Sequence, residues 1–297
     1  MGQGGTSFSD VRPISRRSMI GGVAASIAGL LAISHGRAEE GSFRFGLTPV
    51  FLSDDLELLT RLSAYLAAAM DGPVELLTRR TYQEITAMLV SGQVHGAWIC
   101  GYPYVQFQDE LELVAAPSWH GRPLYQSYMI VTAGRPVSDW HETRGDIHAF
   151  SDPDSNSGFL VTQALLAQHD LQPANFFRRS FFTYGHRNVI RAVGAGLANS
   201  GSVDGYVWEV MRETEPDLVA KTRIVRKSEW LGFPPIASSR ALAGDPRLSR
   251  FHAALVGMGE NPAGREILDL LRLDAFVDVD AELFDPIAAK VELVRRS

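Results

Sequence analysis

The feature that most constrains the fold is a regular alternation of short apolar runs with longer segments of helical periodicity. Residues 43–47 form an apolar run that predicts a strand, and a helical pattern follows at about residues 54–70. Residues 74–77 predict the next strand, and residues 96–100 predict a buried one. Alternating strands and helices are typical of α/β proteins with a parallel sheet, in which ligands bind where strand ends meet helix starts.

The second half of the chain continues this alternation. Residues 125–131 form an apolar run that suits a segment crossing between two lobes, and residues 202–208 predict a strand or strand edge. Thr81 and Glu84 form a capping box that predicts a helix start. Further strands are predicted at residues 146–150, 181–185 and 224–227, and further helices at about residues 186–195, 246–257, 263–271 and 284–294.

The N-terminus predicts export from the cytoplasm. Arg16 and Arg17 precede an apolar run that is too short to span a membrane, and Gly36 and Ala38 supply the small residues of a cleavage site. This pattern predicts a twin-arginine signal peptide at residues 1–38 and a periplasmic mature protein. The alternative is a chance arginine pair before an uncleaved anchor helix.

Charge and cysteine content narrow the class of protein. The net charge is −6 for the full chain, and the predicted signal is rich in arginine, so its removal would leave a more acidic protein. An acidic surface repels the phosphate backbone of nucleic acids, so we expect no nucleic-acid partner. Cys100 is the only cysteine, so no internal disulfide can form.

A polar run at residues 151–158 leads directly into a predicted helix and is the strongest indication of a binding site. Ser155, Asn156 and Ser157 can all cap that helix. Unpaired backbone N–H groups at a helix start, with hydroxyls and an amide beside them, suit a small oxyanion. The run contains no lysine or arginine, so dipoles rather than full charges would hold the ligand. The alternative is an ordinary capped helix.

Several other polar segments lie at predicted strand-to-helix turns. These are Thr48-Pro49, Cys100-Gly101-Tyr102 and Gly185-His186. Because such turns meet at the same edge of a parallel sheet, together with Ser155–Ser157 they would outline a cleft.

Several segments of the sequence resemble the motifs of a known family. Residues 152–161 resemble the D-P-x-S-T-S-G segment of the phosphonate- and phosphite-binding periplasmic proteins of ABC transporters, whose hydroxyls grip the phosphonyl oxygens. Residues 185–193, followed by residues 203–204, are similar to the family's G-H and V-D block. Residues 96–101 are similar to its A-W-x-G strand, and residues 125–131 to its Y-x-S-x-x-I-V crossover.

The resemblance implies a bilobal α/β periplasmic binding fold with two crossover segments, whose lobes close on the ligand like a hinge. The first lobe would comprise residues 39–130 and 230–297, and the second lobe residues 131–229. It further implies a solute-binding protein rather than an enzyme, with no cofactor and with a membrane ABC permease as partner.

Departures from the family pattern bear on the identity of the ligand. Many phosphonate binders carry a tyrosine near the position of Cys100, and a threonine in place of Asn156. The return loop at residues 232–235 has no carboxylate where aminophosphonate binders tend to have one, which argues against an amine-bearing ligand.

Cys100 has two interpretations. It is either a small buried apolar residue at a strand end, or a thiol directed at the ligand. The second interpretation resembles the arsenite-binding branch of the superfamily, whose members partner a sensor histidine kinase. Arsenite sensing is the sharper ligand hypothesis, and phosphite, phosphate or a simple phosphonate is the alternative. In an arsenite site, oxygens of Ser155 and Ser157 and the ring of His186 would complete the coordination.

The remaining candidates each have a structural alternative. His186 could donate to an oxyanion or merely cap its helix. Asp204 could fix the His186 ring, accept from a protonated ligand, or serve only as a turn residue. Tyr102, Tyr104 and Tyr125 could line the cleft or only pack between the lobes.

An enzyme is the remote alternative. Ser155, His186 and Asp204 could form a hydrolytic triad, and Cys100 with His186 could form a nucleophilic pair. However, no G-x-S-x-G elbow surrounds the serine, and no H-E-x-x-H pattern for metal catalysis is present. We therefore expect a binding protein.

Overall fold

The computed structural model describes residues 41–48 and 56–297. The predicted export signal at residues 1–38 lies outside this range, as do Pro49 and the first two residues of the first predicted helix. Within the described part of the chain, no helix has both the length and the apolar character needed to cross a membrane.

The strands fall into two main sheets and a short two-stranded ribbon. In chain order they are β1 (Phe43–Leu47), β2 (Val74–Thr78), β3 (Gly96–Trp98), β4 (Leu111–Ser118), β5 (Leu124–Tyr125), β6 (Ser127–Thr132), β7 (Ile147–Phe150), β8 (Arg179–Phe182), β9 (Ser200–Asp204), β10 (Thr222–Lys227), β11 (Leu231–Gly232), β12 (Ile236–Ser239) and β13 (Ala275–Val277).

The α-helices alternate with these strands along the chain. In chain order they are α1 (Leu56–Ala69), α2 (Tyr82–Val90), α3 (Gly101–Gln106), α4 (Val161–Ala167), α5 (Pro173–Phe176), α6 (His186–Gly194), α7 (Gly205–Thr214), α8 (Pro216–Val219), α9 (Pro246–Val256), α10 (Pro262–Leu271) and α11 (Asp285–Arg296). A π-helical turn at Asn156–Leu160 runs directly into α4.

The first lobe is built on a six-stranded sheet with the order β13-β4-β12-β3-β1-β2. β1 is parallel to β2 and to β3, whereas β12 runs antiparallel to both β3 and β4. The prediction of a parallel sheet is therefore wrong for this part. The sheet is mixed because the chain returns from the second lobe as β12, which inserts between β3 and β4 in the opposite direction.

The second lobe is built on a five-stranded sheet with the order β10-β6-β9-β7-β8. β7 is parallel to β8 and to β9, and β6 is antiparallel to β9 and to β10. The α/β architecture predicted from the alternation is confirmed. In both lobes, parallel strands deliver their carboxyl ends to an edge where helices begin, which is the arrangement that creates ligand sites.

The two connections between the sheets lie side by side. β5 carries the chain toward the second sheet and β11 brings it back, and the two pair antiparallel with Leu231 opposite Tyr125. The crossover predicted at residues 125–131 is shorter than expected, because Ser127–Thr132 is already a strand of the second sheet. The predicted lobe boundaries, at residues 130/131 and 229/230, stay a prediction.

Apolar side chains at regular spacing explain why the first lobe packs as it does. Leu58, Leu62 and Leu66 recur at helical intervals on α1 and are buried. The ring of Phe251 on α9 covers β1, with ring centroids 4.7 Å from Phe43 and 5.0 Å from Phe45. These contacts hold the sheet edge that carries the candidate site.

The predicted capping box is confirmed, and one predicted strand is corrected. The Thr81 hydroxyl accepts from Glu84 N while the Glu84 carboxylate accepts from Thr81 N, and α2 begins at the next residue. Residues 205–208, predicted as part of a strand, instead form the first turn of α7. The Asp204 carboxylate caps that helix, and this local capping overrides the β preference of the Tyr-Val-Trp sequence.

Candidate ligand-binding site between the lobes

The polar loop that follows β7 forms one wall of the candidate site. Ser155 caps the following helical segment, and its Oγ accepts from Gly158 N at 3.0 Å. Leu160 N donates to Ser155 O at 3.0 Å, an i to i+5 bond that widens the first turn. Such π turns are frequent at functional sites because they re-aim the residues they contain.

Three polar side-chain atoms on this wall are buried without a partner among the described residues. They are Ser151 Oγ, Asn156 Oδ1 and Ser157 Oγ. Each of these residues is at most 1% exposed. A buried polar group without a hydrogen bond costs about 1–3 kcal/mol, so three of them on one loop make this wall a candidate for contact with a polar ligand.

Gly158 allows the start of the helical segment to lie directly against Ser151 and the His186 ring. A Cβ atom built at Gly158 would lie 1.8 Å from Ser151 Oγ and 3.0 Å from the His186 ring. Only a residue without a side chain can therefore bring the helix start this close to both polar groups.

Cys100 faces this wall from the first lobe, at the turn between β3 and α3. Its Sγ accepts from Asn156 N at 3.1 Å, and the residue is buried. Burial raises the pKa of the Cys100 thiol to about 12. The group is therefore a neutral thiol at neutral pH, because desolvation disfavours the thiolate.

Tyr125 joins the two lobes from β5. Its hydroxyl accepts from Asn156 Nδ2 at 2.9 Å, and the side chain is fully buried. Burial raises its pKa well above the ordinary value. The hydroxyl is close enough to Ser157 Oγ to influence the Tyr125 pKa, although the two do not form a hydrogen bond of good geometry.

Tyr82 also belongs to the site, and the sequence did not predict it. Its backbone N, at the start of α2, donates to Asp152 Oδ2 at 3.3 Å across the two lobes. Its hydroxyl lies 3.2 Å from His186 Nε2. The local signal was its position directly after the Thr81 cap, where a helix start faces the same sheet edge as the other turns.

The hydrogen bonds of His186 fix its tautomer. Its Nδ1 accepts from Asp204 N at 3.0 Å, and burial lowers its pKa to about 3. The neutral ring therefore carries its proton on Nε2, which donates to the Tyr82 hydroxyl. The Tyr82 hydroxyl hydrogen is then available for a ligand. The predicted fixing of His186 by Asp204 occurs, but through the backbone rather than the carboxylate.

The Asp204 carboxylate has a structural task. Its Oδ1 accepts from Tyr206 N at 2.8 Å and from Val207 N at 3.3 Å, which caps α7. Burial raises the pKa of Asp204 to about 7, although these backbone hydrogen bonds oppose the shift. Of the roles that the sequence left open for Asp204, the carboxylate takes a local structural one, as a helix cap rather than a turn residue, and its contact with a protonated ligand stays a prediction.

The structure brings most of the predicted residues together in one place. We call this set the interlobe cluster, and it comprises Tyr82, Cys100, Tyr125, Ser151, Ser155, Asn156, Ser157, His186 and Asp204. All of its members are at most 2% exposed.

The side chains of Tyr102 and Tyr104 have no hydrogen bond to the interlobe cluster among the described residues. Only their backbone contacts it, with Tyr104 N donating to Cys100 O at 3.2 Å and Tyr102 N to the Cys100 sulfur. The Tyr104 ring packs on Phe284 with centroids 4.8 Å apart. Tyr102 is half-buried, and its pKa is raised by burial and by the Asp154 carboxylate. Their contact with a ligand stays a prediction. Within residues 41–48 and 56–297, no group of three or more His, Cys, Asp or Glu side chains could hold a metal ion.

Solved structures with the same architecture define the class of fold. A binding protein component of an ABC phosphonate transporter from Pseudomonas aeruginosa superposes with a TM-score of 0.79 at 18% identity, covering 86% of this chain and 87% of that one. PhnD1 from Prochlorococcus marinus in complex with methylphosphonate gives 0.78 at 15% identity, covering 86% and 99%. The alkanesulfonate-binding protein from Xanthomonas axonopodis pv. citri, bound to MOPS, gives 0.61 at 14% identity, covering 87% and 94%. The fold is that of the bilobal periplasmic binding proteins.

A family model specifies the membership further. The model described as ABC transporter, phosphonate, periplasmic substrate-binding protein matches residues 45–284. The chain therefore belongs to this family of substrate-binding proteins, and the resemblance drawn from the sequence motifs is confirmed. Membership implies a periplasmic location.

Proposed function

We propose that this protein is the substrate-binding component of an ABC transporter for a small oxyanion of the phosphonate, phosphite or phosphate class. The observation that carries the proposal is the set of unpartnered, buried atoms Ser151 Oγ, Asn156 Oδ1 and Ser157 Oγ. The two hydroxyls can donate to the oxygens of a tetrahedral anion, and the amide oxygen can accept from a hydroxyl of the ligand. The methylphosphonate complex of PhnD1, which has the same fold, supports this class of ligand.

Capture would occur by closure of the two lobes. Contacts between the first-lobe residues Tyr82 and Cys100 and the second-lobe residues Asp152, Asn156 and His186 are hydrogen bonds that only a closed cleft can make. We propose that β5 and β11 act as the hinge, with the lobe boundaries near residues 130/131 and 229/230. A closed form of this kind would present a surface that an ABC permease recognises.

A second candidate is arsenite, and the position of Cys100 favours it. The thiol lies inside the interlobe cluster, 3.1 Å from Asn156 N. A soft sulfur is a poor partner for phosphonate oxygens but a good one for trivalent arsenic. Arsenous acid would form one S–As bond, and the thiol proton would leave with one arsenic-bound hydroxide as water. In that case a sensor kinase rather than a permease would be the partner.

Calorimetric titration of the mature protein with methylphosphonate, phosphite, phosphate and arsenite tests both candidates. We expect binding of at least one phosphorus oxyanion, with no turnover of the ligand. If methylphosphonate, phosphite and phosphate all fail to bind at every pH tested, the transporter proposal is overturned. Release of a product would favour the hydrolase alternative.

The variant Cys100→Ser separates the two ligand classes. Its hydroxyl keeps a hydrogen-bonding group of similar size but lacks the soft sulfur that trivalent arsenic prefers. We expect phosphonate binding to persist and any arsenite binding to disappear. Arsenite binding by Cys100→Ser at parental affinity would overturn the role of Cys100 as an arsenic ligand, on which the arsenite candidate rests. Ser249→Ala, at an exposed site, is the control variant.

A further inference from the structure

The charges around the interlobe cluster are unusual for an anion site. Among the described residues, no lysine or arginine forms a hydrogen bond or ion pair with a member of the cluster. After burial itself, the main influences on the pKa values of Tyr82 and Cys100 include the carboxylates of Asp152 and Asp204. Residues 49–55, which lie outside the described range, contain no lysine or arginine in their sequence.

This composition penalises every additional negative charge on the ligand. Hydroxyl, thiol and amide groups can solvate one negative charge by donating hydrogen bonds. A second charge would be buried near Asp204 and Asp152, and among the described residues no lysine or arginine pairs with the cluster to offset it. Burial of an unpaired charge is strongly unfavourable. The titratable groups that face the site are Tyr82, Cys100, Tyr125, Asp152, His186 and Asp204.

Asn156 supplies the second, independent observation. Its Nδ2 is engaged with the Tyr125 hydroxyl, and its backbone N is engaged with Cys100 Sγ. The remaining atom, Oδ1, is fully buried and unpartnered. A carbonyl oxygen can only accept, so it requires a ligand that brings a hydrogen of its own. A fully ionised oxyanion has none.

We propose that the interlobe cluster binds its oxyacid in the singly charged form that still carries one acidic proton, and that Asn156 Oδ1 accepts the hydrogen bond from that P–OH group. The inference rests on the proposed function, because it specifies the protonation state of the phosphorus oxyanion bound there. Asn156 is then the residue that determines specificity for this protonation state, while the hydroxyls of Ser151 and Ser157 donate hydrogen bonds to the ionised oxygens.

Calorimetry with two ligands that differ in acidity but hardly in shape tests the proposal. Methylphosphonate and difluoromethylphosphonate are titrated into the wild-type protein over a pH series that spans the second pKa of each. We expect the association constant, expressed on total ligand, to fall about tenfold per pH unit above that second pKa. The fall should begin at lower pH for the fluorinated ligand, because fluorine makes its second proton more acidic.

Two variants test whether the pH dependence of binding comes from the ligand's proton or from a titratable group of the protein. Asp204→Asn removes the buried carboxylate, and the fall in affinity should still follow the second pKa of each ligand. Asn156→Thr replaces the obligatory acceptor with a hydroxyl that can also donate. It should bind the doubly charged ligand about tenfold better, relative to the singly charged one, than the wild type does. Asn175→Thr, at an exposed site, should leave the pH profile unchanged.

The outcomes distinguish this inference from the proposed function. If the affinity stays level or rises at pH values above the ligand's second pKa, the inference is overturned, whereas phosphonate binding itself is not. A profile that is the same for both ligands and changes in Asp204→Asn would also overturn it, because a protein group would then be responsible. A folded Asn156→Thr protein with the wild-type profile would overturn the role of Asn156. Absence of binding to either ligand at every pH would overturn the proposed function itself.

Discussion

Among the described residues, two buried networks of histidine and hydroxyl groups are centred on the second lobe, and only one of them has all its polar side-chain atoms paired. His148 on β7 lies 2.8 Å from Ser200 Oγ and 2.9 Å from Ser202 Oγ, and Thr162 Oγ1 lies 2.6 Å from Ser202 Oγ. Both ring nitrogens and all three hydroxyls are therefore paired. The His148 ring also stacks on Phe177 with centroids 4.1 Å apart.

The network around His186 is equally buried but leaves polar atoms unpaired. Ser151 Oγ, Asn156 Oδ1 and Ser157 Oγ have no partner among the described residues, whereas His186 itself is paired on both nitrogens. A fully paired buried network stabilises one fold, and an incompletely paired one at a lobe boundary is suited to a ligand. Substitutions in the first network should therefore reduce stability, and substitutions in the second should reduce affinity.

The largest effect should come from His148→Ala. It removes a stacked ring, leaves Ser200 Oγ without its His148 partner and leaves Ser202 Oγ with Thr162 Oγ1 alone, so the free energy of unfolding should fall by about 3 kcal/mol. Chemical denaturation measures this, with exposed His169→Ala as the control. The affinity of the folded protein for methylphosphonate should change less than about threefold, and a larger loss at full folding would contradict the division of roles.

The reverse pattern is expected for Ser157→Ala. It removes a hydroxyl that has no partner within the described protein, so the fold should lose little. Binding of a phosphorus oxyanion should weaken by about 1–3 kcal/mol because a charge-assisted contact is lost. Ser155→Ala should weaken binding similarly, but it should also cost the fold about 1 kcal/mol because Ser155 Oγ accepts from Gly158 N and caps the helical segment. Calorimetry is the measurement, and Ser249→Ala is the matched control. Unchanged affinity in both variants would place the ligand elsewhere.

Acid should destabilise the fold through the fully paired network, because it favours protonation of His148 in the unfolded chain. Burial lowers its pKa from 6.5 to about 3, so the folded state keeps the ring neutral while the unfolded chain takes up a proton. Its contribution is intact above pH 6.5 and is lost as the pH falls toward 3. Between pH 7 and pH 5, the wild type should lose about 2 kcal/mol more unfolding free energy than His148→Phe.

The comparison with His148→Phe isolates one group. His186 shifts in the same direction and Asp204 in the opposite one, but both are present in the two proteins and cancel in the difference. Equal pH dependence in wild type and His148→Phe would show that this ring is protonated or exposed in the folded protein.

The smallest effect should come from Tyr82→Phe. It removes the hydroxyl that accepts from His186 Nε2 but keeps the backbone bond from Tyr82 N to Asp152. Oxyanion affinity should weaken by about 1 kcal/mol, the typical net value of one neutral hydrogen bond. Tyr184→Phe, at a half-exposed site, should have no effect, and equal affinities for the two variants would remove Tyr82 from the site.

Local signals explain what the sequence could predict. The serine loop, the Thr81 capping box and the terminal helices depend on neighbours in the chain, so their residues could be identified directly. Gly205 to Trp208 was mistaken for strand because its side chains favour strands, whereas the Asp204 cap decided the conformation.

Contacts between distant segments explain what the sequence could not predict. The place of Tyr82 in the site depends on hydrogen bonds to Asp152 and His186, which are 70 and 104 residues away. The inserted position of β12, which makes the first sheet mixed, depends on the return of the chain from the second lobe. No local pattern encodes either arrangement.

A crystal structure of the protein grown with methylphosphonate tests the central claim most directly. The account predicts that the phosphonate group lies between the two lobes, with its oxygens within hydrogen-bonding distance of Ser157 Oγ and Asn156 Oδ1. A phosphonate bound elsewhere on the molecule, with those two atoms still unpartnered, would contradict it.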